Sequence, residues 1–118
     1  MNIFVNLDNK LMGLKKRAKR KKIKFNLDKE WLKEKETIEK CEATGIKFDT
    51  TMEPYVNPFY PTIDRIDSKK GYTKDNCQIV CNMFNVAKGE FDESVFEKWA
   101  RAYALQYENK IGNNDDKI

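Results

Sequence analysis

Histidine is absent from this 118-residue chain. Without it, any proton transfer near neutral pH falls to carboxylates or to water itself. Cysteine is scarce: Cys41, Cys77 and Cys81 are the only three, and an odd count argues against a disulfide framework. Proline occurs only at Pro54, Pro58 and Pro61, so the stretch from Asp49 to Tyr60 is expected to be irregular. No apolar run approaches the ~20 residues of a membrane span. Nor does Met1 to Leu14 read as a secretory signal, because Asn6, Asp8, Asn9 and Lys10 interrupt it. These absences lead us to expect a soluble, cytoplasmic protein with no membrane partner.

What is present is enough for one small domain: 40% of residues are hydrophobic, against 36% charged. The net charge of +4 conceals a polarised chain, since residues 1–24 hold nine Lys or Arg against a single acid, Asp8. Lys15, Lys16, Arg17, Lys19, Arg20, Lys21 and Lys22 are nearly contiguous, which suggests contact with a nucleic-acid backbone. A solvated lysine-rich helix face or a nuclear-localisation tract has the same composition.

Taken in order, Met1 to Leu7 is a β-prone or irregular lead. Asp8 then caps a helix patterned by Leu11, Leu14 and Ala18 and running into the basic tract. Asn26 caps a second helix, Leu27 to about Lys40, with Trp31 and Ile38 inward. Cys41 to Phe48 reads as a turn pivoting on Gly45. Tyr55, Phe59 and Tyr60, in the proline-rich loop, are expected to pack inward. Ile63 to Ile66 and Cys77 to Cys81 are β-rich runs joined by a polar loop, and Asn82 to Lys88 has helical character closed by Gly89. Asp92 caps a last helix whose Phe96, Trp99, Ala100, Tyr103 and Tyr107 are expected to cover the centre. A polar tail follows from Asn109. The organisation is therefore a basic segment (1–25), a domain (26–108) and a tail (109–118).

Three motifs stand in sequence within the central stretch: Asp64-Arg65-Ile66-Asp67, Gly71-Tyr72-Thr73-Lys74-Asp75-Asn76 and Asn85-Val86-Ala87-Lys88-Gly89. With Cys41 to Asp49 upstream, they resemble the HNH nucleases of the ββα-metal (His-Me finger) group, in its phage-type D-R-I-D subgroup. The likeness covers most of residues 15–105. It implies an α+β fold, a two-stranded hairpin plus short helix packed by flanking helices. It also implies that Asp64 and Asn85 hold a single divalent ion, Mg²⁺ or Mn²⁺, and that Asn76 braces the loop. Lys88 would face phosphate, with Lys69 and Lys70 also placed for nucleic-acid contact. Arg65 stands where typical members carry the water-activating histidine. Related domains often hold a structural zinc on paired cysteines, but Thr44 replaces one of them here. Buried free thiols are expected instead.

Hydrolysis of a phosphodiester needs an attacking water, a proton acceptor and positive charge on the developing oxyanion. Asp64 and Asn85 are hard oxygen donors suited to Mg²⁺ or Mn²⁺. A guanidinium stays protonated, so Arg65 is a candidate phosphate clamp rather than a base. Asp67, two residues on, is the candidate carboxylate base. Two functions follow. One is a metal-dependent endonuclease acting on double-stranded DNA, phage- or mobile-element-encoded and working inside the host cell. The other is a catalytically inactive scaffold that binds DNA, or that binds a host protein as an inhibitor or decoy.

Overall fold

A computed structural model describes residue 4 and residues 6–112 of the chain. Residues 1–3 and 5 of the β-prone lead, and residues 113–118 of the tail, lie outside the described residues; Leu7 is already helical, and Asn109 to Gly112, expected to be tail, are helical as well. The fold is α+β, with four α-helices and one two-stranded antiparallel hairpin among the described residues. None of these helices is long and apolar enough to cross a membrane.

Helix α1 (Leu7–Lys21) is capped by Asn6, whose side-chain oxygen accepts the Asn9 N–H; Asp8, expected to be the cap, lies within the first turn instead. Leu14 and Ala18 are buried, and Leu7 and Leu11 pack beside them. This spacing puts one face in the core and leaves the basic side chains on the others. The basic segment is therefore an integral wall of the domain and not a separate appendage. Helix α2 (Lys29–Lys35) is capped by Asp28, which accepts the Trp31 N–H at 2.9 Å. It is shorter than expected because the Thr37 hydroxyl donates back to the Glu34 carbonyl and β-branched Ile38 follows. Asn26, expected to be the cap, instead accepts the Lys74 N–H at 2.8 Å.

Strands β1 (Pro61–Arg65) and β2 (Cys77–Cys81) pair antiparallel with Asp64 opposite Gln78 and Ile63 opposite Ile79. The outer edge of β2 is covered by Glu42. Its N–H donates to the Ile79 carbonyl, and its carboxylate accepts the Ile79 N–H and the Lys35 ammonium. A charged side chain thus closes an edge that would otherwise invite another strand. Helix α3 (Asn82–Lys88) leaves β2 without a linker. Its first N–H groups donate to the Tyr60 and Pro58 carbonyls, so the irregular loop caps it. Gly89, at φ 56°, ends it in a conformation that favours glycine.

Two aromatic expectations fail. Tyr55 is 93% exposed and Phe59 41%, so the proline-rich loop turns these two rings outward, and only Tyr60 is half-buried as expected. Along α4 (Glu93–Gly112) only Phe96 and Ala100 are partly covered, Phe96 meeting Phe84 edge-to-face at 5.0 Å. Trp99, Tyr103 and Tyr107 are more than half exposed and stack on each other at 6.1 Å spacing. The i,i+4 spacing makes a stripe, but α4 meets the rest of the domain near its start, and later turns extend past it.

The connector after α1 is tied to the hairpin loop. Tyr72 N–H donates to the Lys24 carbonyl at 2.9 Å, and Asn26 N–H donates to the Tyr72 carbonyl at 3.1 Å. Gly71 lies so close that a Cβ there would collide with the Lys24 carbonyl. We expect Gly71→Ala to cost about 1–3 kcal/mol, because backbone must move to admit the methyl group. Urea denaturation checks this; a midpoint equal to that of the parent would show that the junction yields.

Candidate nucleic-acid interface

The end of β1 carries the charged residues of the site. Asp64 and Arg65 are both buried, although strand alternation turns them to opposite sides. Asp64 Oδ2 accepts two hydrogen bonds, from the Lys88 ammonium at 2.7 Å and from Gln78 Nε2 at 3.0 Å. Gln78 reaches it from directly across the hairpin. Lys88 corrects the expectation of a surface contact: it is fully buried. Its ammonium also donates to the Arg65 carbonyl at 2.7 Å and the Ile66 carbonyl at 3.3 Å. Being the last residue of α3, Lys88 welds the helix to the strand end.

Arg65 is likewise engaged by its own chain. One guanidinium nitrogen donates to the Ser68 carbonyl at 2.7 Å and the Lys70 carbonyl at 3.1 Å. Its Cζ lies 5.1 Å from the centre of the Tyr72 ring. A second nitrogen is 3.8 Å from Glu90, so the residue braces the loop more than it reaches outward. Asn76 lies at the base of this loop. Its amide donates to the Asp67 and Gly71 carbonyls and its oxygen accepts the Asp67 N–H. Asp67 accepts the Lys69 N–H at 2.9 Å, a local turn bond. It is not among the residues that line the cleft between α1 and the hairpin.

A cleft of about 360 Å³ opens between α1 and the ββα unit. Its walls are Arg17, Arg20 and Lys21 on one side and Asp64, Arg65 and Asn85 on the other, with Tyr72 and Glu90 among the remaining lining residues. The fold thus brings three residues of the basic tract onto two of the expected metal-site positions. Lys22, Lys69 and Lys70 line a different hollow with Lys24 and Asn26. Lys15, Lys16 and Lys19 are exposed on α1 outside both.

Sequence reasoning missed Gln78 and Glu90. Gln78 was legible in principle, since hairpin register places it opposite Asp64. Glu90 had no comparable signal. It is 74% exposed at its side chain and lies 3.6 Å from Lys21, pairing α1 with the strand end across the cleft. No family model, curated protein or solved structure matches this chain.

The residues do not fit the divalent ion that the resemblance implies. Asp64 Oδ2 is already occupied by an ammonium and an amide, and the nearby Arg65 and Ile66 carbonyls are taken by the same ammonium. Among the described residues no group of three or more acidic or cysteine side chains gathers for a metal. Removing one member of a buried charge pair strands the other. Asp64→Ala is therefore expected to cost about 3–5 kcal/mol, and Asn76→Ala about 1–3 kcal/mol, both read from urea denaturation. A neutral result for Asp64→Ala would mean that Lys88 finds water instead.

The three thiols are free and buried. Burial pushes Cys77 up to about 12 and Cys81 up to about 11, the latter helped by the neighbouring Cys41. Burial would also raise Cys41, but hydrogen bonds to its sulfur from the Thr44 hydroxyl and from main-chain N–H groups outweigh this and hold it below its ordinary value. Raised thiols keep their protons in the folded state where the unfolded chain would lose them. Their linkage leaves stability untouched below about pH 8.5 and erodes it as pH climbs toward the folded values. In native protein at about pH 8, Cys77 and Cys81 should resist iodoacetamide and become labelled only in denaturant. Mass spectrometry of the alkylated peptides checks this, and rapid native labelling of both would contradict it.

Proposed function

We propose that the chain is a nucleic-acid-binding protein that receives a phosphodiester backbone in the cleft between α1 and the ββα unit. The observation that carries the reading is the convergence of Arg17, Arg20 and Lys21 with Arg65 and Asn85 in one hollow. Cations on both walls favour a polyanion, and Asn85 adds a neutral hydrogen-bonding group. Asp64 lies in the same cleft, but its charge is offset by Lys88. The HNH-like motif order supports DNA, most simply double-stranded, as the polyanion. On this reading the protein is a nuclease-type scaffold of phage or mobile-element origin, acting inside the host cell.

Phosphodiester hydrolysis is the second reading, and one observation favours it. Glu90 places an exposed carboxylate in the cleft with Asp64 and Asn85, which supplies a proton acceptor where histidine is lacking. A plasmid-nicking assay with Mg²⁺ or Mn²⁺, comparing parent and Glu90→Gln, separates the two. Cleavage lost in Glu90→Gln would establish hydrolysis, and no cleavage by either would leave binding alone.

The binding reading has its own test. The triple charge reversal Arg17→Glu, Arg20→Glu, Lys21→Glu should weaken binding of a fluorescent duplex strongly. It should also flatten the slope of log affinity against log salt by about 2.7, three lost phosphate contacts at ~0.9 each. Reversing the outlying Lys15 and Lys16 should matter less. An unchanged affinity in the triple variant would overturn the proposal.

A further inference from the structure

We infer that the Lys88 ammonium is the resident cation of this site, standing where a divalent ion would otherwise sit, so that the cleft takes up a phosphodiester backbone without metal. The inference rests on the binding reading above only for its nucleic-acid consequence.

Three oxygens surround the ammonium: Asp64 Oδ2 at 2.7 Å, the Arg65 carbonyl at 2.7 Å and the Ile66 carbonyl at 3.3 Å. One carboxylate and two main-chain carbonyls form the kind of hard-oxygen set that Mg²⁺ or Mn²⁺ selects. An ammonium has three N–H donors and no acceptor, so Lys88 uses each donor on one of these oxygens. Its burial is complete. A dication approaching Asp64 would meet a positive charge already seated there, one that cannot diffuse away because it is the end of α3.

Charge bookkeeping explains why this matters for an incoming phosphate. Asp64 is 4% exposed and lines the cleft. A bare carboxylate in that wall would repel a polyanion, and low local polarity would strengthen the repulsion. With Lys88 behind it the pair is neutral, and the field in the cleft is set by Arg17, Arg20, Lys21 and Arg65 against Glu90 alone. The cation that performs this cancellation is covalently built in.

The experiment uses the full-length chain and Mn²⁺ as probe. Isothermal titration of the parent protein with MnCl₂ should show no saturable uptake. Duplex binding, read by fluorescence anisotropy, should be equal in EDTA and in Mn²⁺ at matched ionic strength. Lys88→Met should gain uptake of one Mn²⁺, lose about tenfold in duplex affinity in EDTA, and recover it when Mn²⁺ is added. The double variant Asp64→Asn, Lys88→Met removes both charges and so avoids stranding either. It should fold, and it should take up no Mn²⁺. If Lys88→Met fails to fold, the comparison of parent with double variant decides. Saturable uptake by the parent that is absent from the double variant would overturn the inference, as would a well-folded Lys88→Met that takes up none. A parent that binds neither duplex nor Mn²⁺, while Lys88→Met gains Mn²⁺ uptake, would remove the nucleic-acid reading and leave the resident cation standing.

Discussion

The ion pair between Asp64 and Lys88 is the constraint on which this small domain depends. It joins the last residue of a seven-residue helix to the end of a five-residue strand, two elements too short to be stable alone. Both partners are essentially removed from water. Each therefore needs the other far more than an exposed pair would, because burial makes an unmatched charge expensive. Gln78 and two main-chain carbonyls satisfy other hydrogen-bonding groups of the pair, the condition under which a buried ion pair can be tolerated. The same contacts give the ββα unit its shape and decide what its acidic residue can do.

A second constraint brings charge to that unit. The connector at Lys24 and the loop at Tyr72 exchange main-chain hydrogen bonds over a contact that only glycine admits at position 71. Through this junction the end of α1 is held beside the end of β1, and Arg17, Arg20 and Lys21 become a wall of the cleft. Glu90 spans the gap with ion pairs to Lys21 and Arg65. Those pairs are long and partly exposed, so they contribute little stability. The Lys21 ammonium is correspondingly available to an anion that binds better than one surface carboxylate, whereas Arg65 stays held by its own loop.

Much of the architecture was legible in the order of residues. The hairpin runs, the short helix closed by Gly89, and the inward Leu14 and Ala18 follow from period and turn chemistry. The failures have separate physical causes. Asn26 and Asp28 are both good capping residues, and the choice between them was settled by Lys74, whose N–H takes the Asn26 oxygen from 48 positions away. The stripe of Trp99, Tyr103 and Tyr107 was correctly periodic, but periodicity says which residues share a face and not whether anything lies against it. Lys88 was placed against phosphate by the resemblance; lysine is rarely buried, and only a partner as specific as Asp64 reverses that prior.

What the sequence determined by itself was local: the polarised charge, the absence of an imidazole base, the helical and extended segments, and the turn that Gly89 requires. These depend on interactions within a few residues, where side-chain type and spacing carry the information. The tertiary structure decided which charges meet. It set Lys88 into Asp64, turned Arg65 back onto its own loop, left Asp67 to a turn, and added Glu90 to a cleft. Pairings of that kind depend on how elements distant in sequence close against each other, since electrostatic energy is governed by separation in space and by exclusion of water.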